Sequence, residues 1–282
     1  MESFVEYFSE MPTWHRLVWV AICMTAGWLA EDARPLVRSG YRKWAHAGVN
    51  LSFFVMVAIV GSVVGLALVE LFEWVETNRI GLLQRIDWPL WAQMLVSLLA
   101  LDLAAQYTAH FLLHKIDFLW RFHVVHHSDL HVDATTGTRI HPGDFVFREC
   151  LAAAAVVLFG IPIAFYLLYR TVTVVFTYAT HANIDMPRGL DRALSFVFVT
   201  PNMHKFHHHF EQHWTDSNYG NVFSIWDRVF RTFVYDDVEK IRYGVDTFDD
   251  RLADDVVKQL KLPFGRSFRN RPAPATDPDD PR

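Results

Sequence analysis

Cysteine and excess positive charge are both scarce in this sequence. Cys23 and Cys150 are the two cysteines among 282 residues, and both lie in long apolar stretches, so the chain has neither a disulfide framework nor a Cys-x-x-Cys metal site. The formal net charge of −5 excludes the global basic surface that indicates a nucleic-acid partner. Charged residues make up 20% and hydrophobic residues 52%. This balance favours a membrane protein over a soluble one.

The apolar residues concentrate in four regions, at residues 14–30, 44–74, 88–113 and 151–180. A helix needs about 20 apolar residues to cross a bilayer, so each of the first three regions predicts one span. The first is short enough that a helix lying at the membrane interface is an alternative. Three glutamates precede it, where a secretory signal would be basic, so we expect no cleaved signal peptide.

The fourth region is interrupted by Gly160-Ile161-Pro162 and is compatible with one bent span or with a hairpin of arms about 12 and 17 residues long. Basic residues favour the hairpin. Loops 31–43 and 115–148 carry four basic residues each and the chain after His181 carries fourteen, whereas loop 75–88 carries two. The positive-inside rule places the basic segments in the cytoplasm, which requires the fourth region to return to its own side.

We therefore predict an all-α, multi-pass integral membrane bundle of three spans plus a hairpin, with its N-terminus outside and a helical cap on the cytoplasmic face. Segments 191–198 and 222–234 are expected to be amphipathic helices at the membrane surface. The tail from about residue 271 is rich in proline and aspartate, a composition typical of disorder.

Histidine is the unusual residue, with 15 copies. Most fall in three boxes, which are His110-x-x-x-His114, His123-x-x-His126-His127 and His204-x-x-His207-His208. His181 closes the fourth apolar region. Residues at i, i+3 and i+4 share one face of a helix, so each box presents its imidazoles together.

The hairpin topology would bring these nine imidazoles to the cytoplasmic end of the bundle. One ion cannot use nine ligands, since zinc takes about four and iron about six, so the number fits two metal ions. We expect His15, His46 and His213 to be ordinary surface or hydrogen-bonded residues, and His209 to be a neighbour of the ligands. His131 and His141 are not expected to bind metal directly.

The residues alone leave the metal open, because imidazole suits zinc, iron, copper and nickel. A binuclear zinc site would indicate hydrolysis, since zinc has no redox chemistry. A membrane metal transporter would place its ligands at mid-membrane along a pathway, whereas these boxes lie at the ends of spans. A site beside an apolar bundle favours a lipid substrate, and oxidation of an unactivated C–H bond needs a redox metal.

The pattern of boxes resembles the fatty acid hydroxylase/sterol desaturase superfamily. The likeness runs from His110 to Tyr235, nearly half of the chain, and the gap of nine positions between His114 and His123 is shorter than in acyl-CoA desaturases. Four further stretches share it, namely Arg139-Ile140-His141-Pro142, Thr200-Pro201, Asp216-Ser217-Asn218-Tyr219-Gly220-Asn221 and Trp226-Asp227-Arg228-Val229-Phe230.

The resemblance implies a non-haem di-iron centre, held by His110, His114, His123, His126, His127, His181, His204, His207 and His208, that uses O2 as co-substrate to hydroxylate or desaturate a membrane lipid or sterol-like compound. It divides the chain into N-terminal membrane helices at residues 1–86, a catalytic domain at 87–235 and a C-terminal polar region at 236–282. Thr177 departs from the pattern, because some members have a histidine four positions before the residue that matches His181. One ion would then carry a water or a side-chain oxygen.

Residues that support the ligands are expected nearby, because a ligating imidazole usually donates its other N–H to a carboxylate or carbonyl. The candidates are Asp102, His141, Asn183, Asp216 and Asn218. Asp102 stands out because a carboxylate inside an apolar span is costly and tends to be functional.

The sequence shows no haem-binding or flavin-binding motif. Electrons would therefore come from an external donor of the ferredoxin or cytochrome type. Lys205, Arg228 and Arg231 are candidate docking residues for an acidic donor, although a solvated or lipid-facing basic surface explains them equally well.

Overall fold

The computed structural model describes residues 2–38, 40–238, 241–246 and 252–265. This part of the chain contains no strand, only helices and three isolated bridges, which confirms the all-α prediction. The helices are α1 Glu2–Ser9, α2 Thr13–Ala33, α3 Lys43–Thr77, α4 Leu90–Leu101, a π-helix Asp102–Thr108, α5 Ala109–Lys115, α6 Asp117–His127, a 3-10 helix Ala134–Thr138, α7 Pro142–Phe159, α8 Ile163–His181, α9 Arg188–Leu194, α10 Pro201–His207, α11 Gln212–Thr215, α12 Ile225–Val229, α13 Val256–Lys261 and a 3-10 helix Leu262–Phe264.

Three of the described helices are long and apolar enough to cross a membrane. They are Lys43–Thr77, Leu90–Lys115, which joins α4, the π-helix and α5, and Ile163–His181. The first predicted span, α2, is not one of the three. It nevertheless follows α8 closely, because Trp19 donates to the Thr171 carbonyl and Glu31 accepts from the Asn183 N–H near its other end. Its 21 residues extend about 31 Å.

The fourth apolar region is a hairpin, as predicted. Gly160 ends α7 in the left-handed conformation at φ 69°, and Pro162 begins α8. The start of α7 and the end of α8 both lie beside the histidines, because Asp144 contacts His123 and His181 contacts His126. The arms are 18 and 19 residues long. The first arm is longer than expected because its helix begins in polar sequence, before the apolar run.

The C-terminal half of the cap closes over the histidine boxes. Trp120, Val124 and Val125 of α6 pack against Phe53 of α3 and against Leu262 near the end of the described chain. This small core fixes the helix that carries the second box. α9 and α12 are shorter than the amphipathic helices predicted for this part of the chain, and the predicted disordered tail lies outside the described residues.

A non-helical segment at residues 216–224 descends from the cap into the bundle. Phe223 packs with the membrane core, and the backbone N–H groups of Val222 and Phe223 donate to the two carboxylate oxygens of Asp102. Asp102 also accepts from the Trp226 indole and the Tyr169 hydroxyl, at 2.9 and 2.6 Å. Irregular backbone at membrane depth needs such partners, so Asp102 is the residue that allows this segment to enter the bundle.

The opposite end of the bundle is closed by two facing glycines. Gly81 has φ +90°, and a Cβ placed on it would lie 2.1 Å from the Gly160 backbone nitrogen. The neighbouring Leu83 N–H donates to the Phe159 carbonyl at 2.8 Å. The loop between α3 and α4 therefore lies directly on the turn of the hairpin.

We expect Gly81→Ala to lower the free energy of unfolding by at least about 2 kcal/mol, because a Cβ in the left-handed region costs about 1–2 kcal/mol before the collision with Gly160 is added. Gly65→Ala is the matched control. A Cβ at Gly65 meets nothing within 4 Å, so this change should be neutral or stabilising by up to about 1 kcal/mol. Thermal unfolding in detergent compares the two; equal midpoints would contradict the proposed contact between loop and turn.

Candidate metal centre

All nine predicted histidines come together in two buried groups. Within each group, one ligand atom from every residue lies within 4.8 Å of those from the others. The larger group is His110, His114, His123, His127 and His207, and the smaller is His126, His181, His204 and His208. The structure thus places the three boxes and His181 at one end of the bundle.

The two HxxHH boxes are shared between the groups. Successive helical residues are rotated by about 100°, so residue i+4 lies about 40° from i, while i+3 lies about 60° away on the other side. His123 and His127 accordingly join the larger group, and His126 joins the smaller. In the third box the assignment to the groups is reversed: His204 and His208, at i and i+4, join the smaller group, and His207 joins the larger. We had expected each box to form a single face.

The inner nitrogens of several imidazoles face one another at short range. The Nε2 atoms of His110 and His123 are 2.9 Å apart. In the smaller group, the Nε2 atom of His181 lies 3.0 Å from that of His126 and 3.1 Å from that of His204. Two nitrogens bound to one ion at about 2.1 Å, with an angle near 90°, lie about 3 Å apart.

The outer nitrogens show which inner nitrogens lack a proton. Nδ1 faces a backbone carbonyl in His110 (Tyr219, 2.9 Å), His126 (Arg139, 3.2 Å), His181 (Thr177, 2.6 Å) and His207 (Ser217, 2.6 Å). A carbonyl only accepts, so each Nδ1 carries the hydrogen and the neutral ring presents a bare lone pair at Nε2. Facing lone pairs repel one another, and a cation between them makes the arrangement favourable.

Other ring nitrogens in the groups have no hydrogen-bond partner among the described residues. Both nitrogens of His127 and of His208 are buried without one, as are Nε2 of His114 and of His207. Buried polar atoms are normally paired. Burial also lowers the pKa of His127, His207 and His208 well below its ordinary value, which keeps these rings neutral, as metal binding requires. The residues therefore fit two bound metal ions.

A carboxylate that the sequence analysis missed supports His123. The Asp144 Oδ2 atom lies 2.6 Å from His123 Nδ1, and Oδ1 accepts from the Arg148 guanidinium at 2.7 Å. Arg148 in turn donates to the Gln106 side chain at 3.2 Å. Asp144 lies two residues after the Arg139-Ile140-His141-Pro142 stretch, in the polar first turn of α7, so its proximity to that stretch is the one signal that could have pointed to it.

Of the five predicted supporting residues, Asp216 reaches a ligand candidate. Its Oδ1 atom lies 3.3 Å from His114 Nδ1, and its other oxygen accepts from Lys115. Asp102 does not reach His110, because eight helical residues separate them by about 12 Å along the axis.

The remaining three candidates hold backbone rather than imidazole. Asn183 pairs with the N–H and carbonyl of Val37. Asn218, at φ 51°, donates to the Met203 and Val234 carbonyls. His141 caps α7 by accepting from the Gly143 N–H.

His46 is a buried, hydrogen-bonded residue, which is one of the two alternatives expected for it. It is 7% exposed, and its two ring nitrogens lie 2.8 Å from Asp129 and 3.1 Å from Asp133. A carboxylate accepts only, so His46 Nε2 donates to Asp129, while Nδ1 lies beside Asp133 without a hydrogen bond. Asp129 also accepts from the Thr136 hydroxyl, and this buried network secures the loop that follows the second box.

Three other residues singled out in the sequence lie outside the two histidine groups. His209 lies outside both groups and accepts from the Glu211 N–H. His131 is half-buried and stacks on Tyr41, with ring centroids 4.6 Å apart. Lys205 is wholly buried and donates to the Ala182 carbonyl at 2.9 Å, so it cannot dock a partner.

Comparison with known proteins agrees with this geometry. Residues 94–232 match the family described as Fatty acid hydroxylase. The chain is 34% identical over 147 residues to an ornithine lipid hydroxylase, OlsE, of Rhizobium tropici, covering 52% of this chain and 43% of that protein. It is 32% identical over 130 residues to the alkylglycerol monooxygenase of Caenorhabditis elegans, covering 45% and 24%, and 27% identical over 139 residues to that of Homo sapiens, covering 49% and 30%.

The chain thus spans less than half the length of these relatives, and no solved structure matches it significantly. The fold and the site define a helical protein with apolar helices long enough to span a membrane and two buried histidine groups that could hold metal ions. The match to the Fatty acid hydroxylase family over residues 94–232 confirms the resemblance noted in the sequence.

We expect Asp144→Asn to weaken metal binding about 10–100-fold, the usual effect of changing the group that orients a ligating imidazole. The charged partner of His123 Nδ1 would be lost while the side-chain volume is kept. Asp32→Asn is the control, because Asp32 is exposed and pairs with Lys43 away from the groups. Metal titration of the stripped protein measures both variants, and unchanged affinity in Asp144→Asn would remove Asp144 from the site.

Proposed function

We propose that this protein is an O2-dependent di-iron enzyme that hydroxylates a membrane lipid. The observation that carries the proposal is the arrangement of bare imidazole nitrogens about 3 Å apart in two adjacent buried groups. The family match supports iron over zinc, since the hydroxylase and monooxygenase relatives are named for oxygen-inserting reactions.

The proposed ligands are His110, His114, His123, His127 and His207 for one ion, and His126, His181, His204 and His208 for the other. When bound, iron would supply the redox chemistry that reduces O2 and breaks an unactivated C–H bond. The protein would hold the ions with neutral ligands, orient the rings through Asp144, Asp216 and backbone carbonyls, and exclude water through burial of all nine imidazoles.

The overall reaction balances with an external reductant. One O2, two electrons, two protons and one C–H bond give one C–OH group and one water. Desaturation of an acyl chain is the alternative outcome, because it begins with the same hydrogen abstraction. The relatives carry hydroxylase and monooxygenase names, which favours oxygen insertion.

The electrons would come from a separate ferredoxin or cytochrome-type protein. Arg228 and Arg231 are the remaining candidates for its docking surface, now that Lys205 is excluded by burial. The Arg228 guanidinium lies 3.7 Å from the Phe233 ring centroid and donates to the Ser195 carbonyl, so it is held in place at the cap. We place this cap on the cytoplasmic face because the basic loops adjoin the histidine end.

The rival functions make different use of the same site. A metal transporter needs ligands along a path through the membrane, whereas both groups lie at one end of the bundle. A binuclear zinc hydrolase would fit the ligands equally well but would consume no O2.

The direct test is metal analysis of the purified protein together with lipid mass spectrometry under 18O2. We expect about two irons per chain and one 18O atom in a lipid product that a deletion strain lacks. Zinc alone, with hydrolysis and no use of oxygen, would refute the proposal.

Replacement of one ligand candidate from each group provides a second test. His123→Ala and His208→Ala should each lower bound iron and abolish lipid oxidation. His15→Ala should change neither, because His15 lies at the opposite end of the bundle beside Tyr7. Wild-type iron content and activity in all three variants would contradict the assignment of His123 and His208 as metal ligands.

A further inference from the structure

The smaller group has a polar side chain on its membrane side. Thr177 precedes His181 by four residues on α8, so it lies on the same helix face about 6 Å deeper in the bundle. Its backbone carbonyl accepts from His181 Nδ1 at 2.6 Å. The smaller group has four histidines where the larger has five, and Thr177 lies beside the group with fewer ligands.

Asn221 reaches the same place from the segment that enters the bundle. The carbonyl of Tyr219, two residues before Asn221, accepts from His110. The N–H of Val222, the residue after Asn221, donates to Asp102. Asn221 therefore lies between the level of the histidines and the level of Asp102. Its Nδ2 atom donates to the Thr177 hydroxyl at 3.3 Å, which joins the two side chains into one polar pair.

The amide oxygen of Asn221 is buried and has no hydrogen-bond partner among the described residues. Leaving such a buried acceptor unpaired is unfavourable. Beside it the bundle is apolar, because Phe198 packs against Phe176 and Phe223 with ring centroids 5.6 and 5.8 Å apart. An aromatic layer suits an alkyl chain, and the unpaired oxygen beside it suits a hydrogen-bond donor.

We propose that Asn221 and Thr177 bind a hydroxyl or amide N–H of the lipid substrate, close to the carbon that is oxidised. This inference rests on the proposed function and narrows its substrate class. A polar group held within one helical turn of His181 leaves only a few bonds to the reacting carbon. The substrate is then oxidised beside its polar linkage, not in the middle of an alkyl chain.

The test compares two probes that differ only in donor capacity, 1-O-hexadecylglycerol and its 2,3-di-O-methyl derivative. Each competes with a photoreactive alkyl lipid for crosslinking to the full-length protein in detergent, without O2 or reductant. One net hydrogen bond contributes about 0.5–1.5 kcal/mol, so the wild-type protein should bind the hydroxyl probe about two- to tenfold more tightly. Equal binding of the two probes would overturn the proposal.

Variants of Asn221 and Thr177 show whether these two side chains cause the tighter binding of the hydroxyl probe. Asn221→Leu should abolish it, and Thr177→Val, which keeps the side-chain shape, should reduce it. Thr171→Val is the matched control on the same helix, because the Thr171 hydroxyl donates only to its own helix, at the Leu167 carbonyl. A preference that persists in both Asn221→Leu and Thr177→Val would overturn the assignment; Thr177→Val decides alone if the other variant fails to fold.

Iron content, measured on the same samples, separates this inference from the proposed function. Protein that holds iron and oxidises lipid but does not distinguish the probes contradicts only the polar pair. Protein that distinguishes the probes but holds no iron contradicts the di-iron oxidation and leaves a lipid-binding site at Asn221.

Discussion

Electrostatic repulsion between imidazole lone pairs is the constraint on which this structure depends. His110, His126 and His181 each donate an Nδ1 proton to a backbone carbonyl, so their inner nitrogens are bare and face other rings at about 3 Å. Nothing in an apolar interior compensates such an arrangement except a cation. The hydrogen bonds from Nδ1 to backbone carbonyls hold the rings in this arrangement.

Buried carboxylates make the arrangement possible at the edge of a membrane. Asp102 accepts hydrogen bonds from the backbone of the segment that enters the bundle, at Val222 and Phe223. Asp227 accepts from the N–H groups of Tyr219 and Gly220 in the turn just before them. That segment supplies the carbonyl partner of His110 and brings Asn221 toward the site. A carboxylate in a span can therefore position the segment that contacts His110 without itself contacting any histidine of the two groups.

Much of the centre could be predicted because its signals are local. Histidine spacing indicated eight of the nine candidates, and the basic loops indicated the hairpin that returns His181 to the same end. The sharing of each HxxHH box between two groups depends on how α6 and α10 pack, which no local pattern contains. For the same reason Asp144 was missed, since only tertiary structure brings it to His123.

The central claim is that two separate ions occupy the two histidine groups. An anomalous difference map, measured at the iron edge on crystals of the purified protein, tests it most directly. The account predicts two peaks, one among the five histidines and one among the four, each surrounded by ring nitrogens. A single peak, or peaks away from these rings, would contradict it.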